Sequence, residues 1–277
     1  MVQASGLPSS KEAGGTPAPQ SRRDACTTKM RYHPHNSHFL VLVSHDPEEM
    51  SHRAAKYLHH KVREKPDLLL CAATGGTPTR AYQLFAESFA GHRSEVRRLR
   101  VMKLDEWGGL PPDDPGTCEA YLRQHLLRPL EISDDRYAGF RLGAPDTALD
   151  CERVASVLDQ WGPIDVCVLG LGTNGHLGFN EPGPSLQPHA HVATLSAASL
   201  DHPMVRHNPA AVTHGLTLGM ADILHARSVL LLVNGAHKRD ALRRLMTGPI
   251  ATDFPASMLW LHSDVTCVCD ADAAESL

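Results

Sequence analysis

The stretch "VCVLGLGTNGHLGFNEPG", residues 166–183, decides how this chain is read. Gly170, Gly172 and Gly175 spell G-x-G-x-x-G directly after an apolar run, the spacing of a dinucleotide-binding turn. Such a turn needs its last glycine to open a long helix, with an acid about twenty residues on at the end of the next strand. Pro182, Gly183, Pro184 and Pro188 leave no room for that helix, because proline lacks an amide proton and clashes with the preceding turn. The first acid after Glu181 is Asp201, and no clean strand–helix–strand unit leads to it. The dinucleotide reading is therefore rejected. What remains is an irregular glycine-rich loop at a strand end, carrying Asn174, His176, Asn180 and Glu181. A lone histidine is more often structural than catalytic. A histidine with a nearby carboxylate in such a loop is a better candidate for an oriented acid or base.

The flanking sequence alternates. Apolar runs at 38–43, 67–73, 99–104, 164–171, 215–219, 228–235 and 265–270 read as strands. Segments 47–62, 118–130, 148–161 and 237–248, and one starting at Pro78, read as helices. Strands that are apolar throughout and alternate with helices imply burial on both faces. The expected fold is α/β: a single doubly wound domain over 38–277, Rossmann-like, with a mostly parallel sheet and helices on both faces. Residues 1–37 are rich in Pro, Gly, Ser and Thr and read as a disordered N-terminal extension.

The net charge is −4, which gives no reason to expect nucleic acid or a membrane as partner. No apolar run has membrane-spanning length, and the N-terminus lacks a signal-peptide core. Seven cysteines are present, an odd number without a C-x-x-C pair. Cys71, Cys167 and Cys267 sit in apolar runs, where a free thiol packs as a small hydrophobe. This pattern fits a reducing compartment, and a cytoplasmic location is expected.

In open α/β sheets, ligands bind outside the carboxyl ends of the strands, and two further strand ends are unusual. "AATGGTPT", residues 72–79, joins a strand to a helix through Thr74, Gly75, Gly76 and Thr77, with Thr77 as the expected cap and Pro78 in the first turn. Free amides there suit a phosphate, although an ordinary strand-to-helix turn reads the same way. "KLDEWGGLPPDDP", residues 103–115, ends a strand on two adjacent carboxylates. Alternation sends Asp105 and Glu106 to opposite sides, so only one need face a cleft. A carboxylate there either moves a proton between carbons or serves as a helix cap or salt bridge.

Together, "ATGGTP", "LDEWGGLPPDDP" and "GHLGFNEPG" resemble, in order and spacing, the glucosamine-6-phosphate deaminase/isomerase family. Weaker echoes are "LTLGMADIL" (216–224), "GAHKRDAL" (235–242) and "PASMLWLH" (255–262). The 6-phosphogluconolactonases share that family's fold and the Gly-His loop but lack the Asn-Glu-Pro found here at 180–182. The resemblance implies aldose–ketose isomerisation with deamination of a hexosamine 6-phosphate, giving a ketohexose 6-phosphate and ammonia. It implies that Asp105 shuttles the proton between C2 and C1, and that His176, held by Glu181, helps open the sugar ring. It implies that Thr74, Gly75, Gly76 and Thr77 hold the phosphate with Lys238, and with Arg206 as its arginine partner. No metal or organic cofactor is implied, and a homo-oligomer is allowed. A lactonase-like hydrolase and a non-catalytic sugar-phosphate sensor are the alternatives.

Two departures matter. The family's loop usually reads Asp-Gly-His, whereas here it is Asn174-Gly175-His176. Asn174 is expected to orient the imidazole without supplying charge, and the resemblance links Asn here with the galactosamine 6-phosphate branch. The family's hexamers also bind an allosteric phosphate through basic residues just after Asn-Glu-Pro. The matching segment "GPSLQPHAHVATLS" has His189 and His191 but no Arg or Lys, so no activation by an N-acetylated sugar phosphate is expected.

Overall fold

The computed structural model describes residues 29–32 and 38–277. Its centre is a sheet of eight strands. In chain order these are β1 (Lys29–Tyr32), β2 (Phe39–Ser44), β3 (Leu69–Ala72), β4 (Arg100–Lys103), β6 (Tyr137–Ala138), β7 (Val166–Gly170), β10 (Ser228–Val233) and β11 (Val265–Asp270). Across the sheet the order is β1-β2-β11-β10-β7-β3-β4-β6. Every neighbouring pair from β2 to β6 is parallel, and only β1 runs antiparallel, on β2.

Alternate residues of each strand are buried on opposite faces. In β7, Cys167 and Leu169 join one apolar cluster, while Val166 and Val168 join the other. In β10, Val229 and Leu231 face one way, and Leu230 and Leu232 the other. This is why the strands read as unbroken apolar runs. Helix α1 (Pro47–Glu64) starts at Asp46, whose side chain accepts the Glu49 amide, with Pro47 in the first turn. It buries Met50, Ala54, Leu58 and Val62, four residues apart, alongside Ala81, Tyr82 and Phe85 of α2 (Gly76–Glu87). The other face is covered by α4 (Thr147–Trp161), α6 (Met220–Leu224) and α7 (Arg239–Thr247), through Val154, Ile223, Leu242 and Leu245 among others.

Three differences from the sequence-based expectations stand out. First, β1 lies inside the segment read as a disordered extension. The edge of β2 leaves backbone groups unpaired, and Lys29–Tyr32 pairs with them, which composition cannot reveal. The rest of that segment, residues 1–28 and 33–37, lies outside the described residues. Second, the run at 215–219 does not join the main sheet. It forms β9 (His214–Thr217), in a small antiparallel sheet with β5 (Asp105–Gly108) and β8 (His191–Ala193), in the order β5-β9-β8. Third, the helix expected over 118–130 is α3 (Cys118–Leu122) followed by a wider turn at Arg123–Leu127.

The connections after β3 and β7 lead to opposite sides of the sheet: β3 to β4, and β7 on towards β10. Adjacent strands that diverge in this way open a crevice at their carboxyl ends.

Candidate active site

A cavity of about 120 Å³ occupies that crevice. It is lined from the end of the β3–α2 loop and the first turn of α2 (Thr74 to Pro78), from the start of β5 (Asp105, Trp107), from the loop after β7 (Gly172, His176, Gly178) and by Ser199, His202 and Lys238. A larger groove of about 870 Å³ along α4 and β8 shares no residue with it. The groove holds none of the candidate acid/base or phosphate-binding residues, which leaves the smaller cavity as the candidate active site.

Asp105 and Glu106 take opposite sides of β5, as alternation requires. Glu106 is fully buried and structural. Its carboxylate pairs with Lys103 Nζ at 2.7 Å and accepts the amides of Trp107, Cys118 and Glu119, capping α3. Lys103, also fully buried, reaches Glu119 at 2.9 Å as well. Burial pulls the Lys103 pKa down, but Glu106 and Glu119 hold it above the ordinary value. Asp105 is 7 % exposed and faces the cavity. Burial, and then the charge of Glu106, push its pKa up to about 7, against the pull of Cys118 and Lys103. Cys118 Sγ lies 3.7 Å from Asp105 Oδ1 and itself accepts from Thr74 Oγ1 at 3.2 Å. The result is a carboxylate poised near neutrality, suited to take and return a proton.

After β7 no helix follows Gly175. Residues 171–190 make turns and one bridge, Leu177 with Asn180. The glycines serve the loop: a Cβ on Gly172 would lie 2.6 Å from the His176 ring. Asn180 is buried and donates to the carbonyls of Leu177 and Leu218, which fixes the loop beside β9. His176 Nδ1 lies 3.5 Å from Glu181 Oε2. A carboxylate only accepts, so the ring proton belongs on Nδ1 and Nε2 keeps a lone pair on a ring that lines the cavity. Burial alone would raise the Glu181 pKa, but hydrogen bonds from His176, Ser199 and Asn174 hold it at about 2. Ser196 also donates to Glu181, at 3.1 Å from Oγ and 3.2 Å from its amide, and Ser199 donates through a short contact.

Asn174 does not hold the imidazole as the sequence suggested. Its Oδ1 accepts the His176 backbone amide at 3.1 Å, which turns its Nδ2 onto Glu181 at 3.0 Å. Asn174 thus orients the carboxylate, not the ring. An aspartate there would have no proton to give and would add a second negative charge.

The residues Thr74 to Thr77 line the cavity, but the helix start differs from the expected one. Helix α2 begins at Gly76, and the capping position is Gly75, at φ +108°, with no side-chain cap. Only glycine adopts that backbone readily. Thr77 is therefore inside the helix, where its hydroxyl donates to Asn234 Oδ1 at 2.7 Å. Gly76 and Thr77, whose amides belong to a first turn with no side-chain cap, line the cavity. Lys238 lines the same space, and burial lowers its pKa. Arg206 is exposed and does not line the cavity. Sequence reasoning missed Trp107, Cys118, Ser196, Ser199 and His202. Trp107 sits inside the quoted 103–115 stretch but carries no titratable group to draw notice, and of the others only Ser196, which caps the short helix α5 (Ala197–Leu200), leaves a local signal.

Among the described residues, no helix is long and apolar enough to cross a membrane. The family of glucosamine-6-phosphate isomerases and 6-phosphogluconolactonases matches residues 45–268. The candidate deaminase AgaI of Escherichia coli strain K12 is 46% identical over 219 residues, 79% of this chain and 87% of its own length. Glucosamine-6-phosphate deaminase 1 of Bacillus subtilis strain 168 is 36% identical over 230 residues, 82% of this chain and 95% of its own. A monomeric glucosamine-6-phosphate deaminase superposes with a TM-score of 0.80 at 35% identity, over 85% of this chain and 98% of that one. The 6-phosphogluconolactonase of Trypanosoma cruzi shares the fold, with a TM-score of 0.71 at 23% identity, over 86% of this chain and 96% of that one. By sequence and by architecture, the chain belongs to the glucosamine-6-phosphate isomerase/6-phosphogluconolactonase family.

Proposed function

We propose that residues 38–277 form an amino-sugar-phosphate deaminase/isomerase, converting a hexosamine 6-phosphate and water into a ketohexose 6-phosphate and ammonia. The observation that carries this is the pairing of two differently tuned carboxylates around one cavity. Asp105 is held near neutrality, and Glu181 is held ionised behind His176. Environments that push two acids apart assign them different tasks.

The Gly76 and Thr77 amides, with Lys238, take the phosphate, so binding energy comes from atoms remote from the reacting carbons. His176 accepts the anomeric hydroxyl proton at Nε2 and returns it to the ring oxygen, which opens the sugar. Glu181 stabilises the transient imidazolium. Asp105 removes the proton at C2, giving an enolamine, and delivers it to C1. The resulting C2 imine adds water and expels ammonia, leaving the ketone. Asn174, through Glu181, tunes the ring opening, and the link of Asn at this position with the galactosamine branch favours galactosamine 6-phosphate over its glucosamine epimer. A cytoplasmic location fits the thiol pattern.

The test is ammonia release from purified protein given each epimer separately, with Asp105→Asn as control. Release from one or both, lost in the variant, is expected. Rapid hydrolysis of 6-phosphogluconolactone without ammonia would replace this reading with the lactonase, and binding without turnover would replace it with a sensor.

A further inference from the structure

His202 lines the cavity, yet no step above uses it. It follows α5, in the turn that leads to Arg206. Its Nδ1 accepts the Met204 amide at 3.3 Å, so the ring proton sits on Nε2. The ring packs against Trp107, with centroids 5.7 Å apart and planes at 37°. These two contacts fix where Nε2–H points. Nε2 lies 3.4 Å from the place a Cβ on Gly75 would occupy. Gly75 is the residue just before α2, whose first turn has no side-chain cap, so Nε2–H and the N-terminus of that helix meet in one space. Lys238 borders the same space, and no carboxylate is paired with it among the described residues. Burial, and then the positive charges of His176, Lys238 and Arg206, hold the His202 pKa at about 4, so the ring stays neutral at neutral pH.

A neutral imidazole with its other nitrogen occupied can do one thing for an anion: donate a single hydrogen bond. We propose that His202, through Nε2–H, is a phosphate-binding residue of this site, taking the place beside Lys238 that the exposed Arg206 does not fill. The inference rests on reading the cavity as a sugar-phosphate site. A donor of this kind adds directional hold on the phosphate without adding charge.

The experiment compares His202→Phe, His202→Gln and His202→Asn with the native protein, using inorganic phosphate in calorimetric titrations and KM and kcat for the hexosamine 6-phosphate. Phe keeps the packing on Trp107 and removes the donor. Gln carries an N–H where imidazole Nε2–H lies, and Asn carries one where Nδ1 lies. A hydrogen bond to a charged group corresponds to a loss of about tenfold or more in affinity when it is removed. The Phe and Asn variants should lose at least about that much for phosphate, with KM rising more than kcat falls, while Gln recovers most of it. Phosphate affinity in the Phe variant within about threefold of native, or equal losses in Phe and Gln, would overturn the proposal. Melting temperatures of all four proteins identify a variant that has merely unfolded, and the remaining variants then carry the comparison. Native protein that binds phosphate but deaminates neither epimer would sink the deaminase reading and leave this test readable.

Discussion

Replacing Asp105 by Asn should abolish turnover and at the same time stabilise the protein, by an amount that depends on pH. Burial and Glu106 raise the Asp105 pKa from 3.8 to about 7. The native state therefore holds a proton between those values that the unfolded chain releases, and stability falls as pH rises through that window. At pH 8 and above, the ionised carboxylate costs about 4 kcal/mol, from about three pKa units at 1.36 kcal/mol each. At about pH 4.5 the same linkage leaves a cost of about 1 kcal/mol. Asn carries no charge at either pH. Its advantage over the native protein should therefore be larger at pH 8 than at about pH 4.5 by about 3 kcal/mol, however well the amide packs. Even half of the full effect, about 2 kcal/mol, would raise the melting temperature by about 4–8 °C. The assay is urea unfolding of both proteins at the two pH values, followed by tryptophan fluorescence in phosphate-free buffer. An advantage that is equal at both, or larger in acid, would refute the account of Asp105 as a buried base maintained at a cost to the fold.

Glu181 should behave in the opposite sense. Its pKa is lowered from 4.5 to about 2, so it contributes about 3 kcal/mol above the upper value, lost as pH falls through the lower one. Glu181→Gln should remove that part of the acid sensitivity and lower kcat by about a hundredfold, since His176 loses its charged partner; unchanged acid unfolding would contradict this. Lys103→Met leaves Glu106 and Glu119 without their shared cation inside the protein, and urea unfolding should show a loss of about 3–5 kcal/mol. A loss under about 1 kcal/mol would mean that the carboxylates find other partners or bind protons. Adding N-acetylglucosamine 6-phosphate at subsaturating substrate should not raise the rate. His189 and His191 lie in the large groove, whose charged side chains are Glu152, Asp159 and Asp222, with no Lys or Arg. A clear activation would overturn that expectation.

The alternation of apolar runs with helical segments was enough to specify a parallel sheet covered on both faces, because a strand buried on both sides has no polar face to show. The prolines after Gly175 were enough to exclude a dinucleotide helix, since a missing amide and a ring clash act locally. Opposite roles for Asp105 and Glu106 followed from the two-residue period of a strand, although which of the two faces the cavity did not. All of these rest on neighbours in sequence. The tertiary structure decided what depends on distant ones. Cys118 reaches Asp105, and Ser196 and Ser199 reach Glu181, from segments with no motif of their own. The role of Asn174 turned on which acceptor its backbone neighbour required, and the exclusion of Arg206 from the cavity on where a turn placed its side chain. His202 entered the site because one backbone amide claimed Nδ1 and left Nε2–H to the cavity. Patterns of period two and four are written along the chain, but the proton affinity and direction of a buried group are set by what lies around it. Those surroundings exist only once the chain has folded.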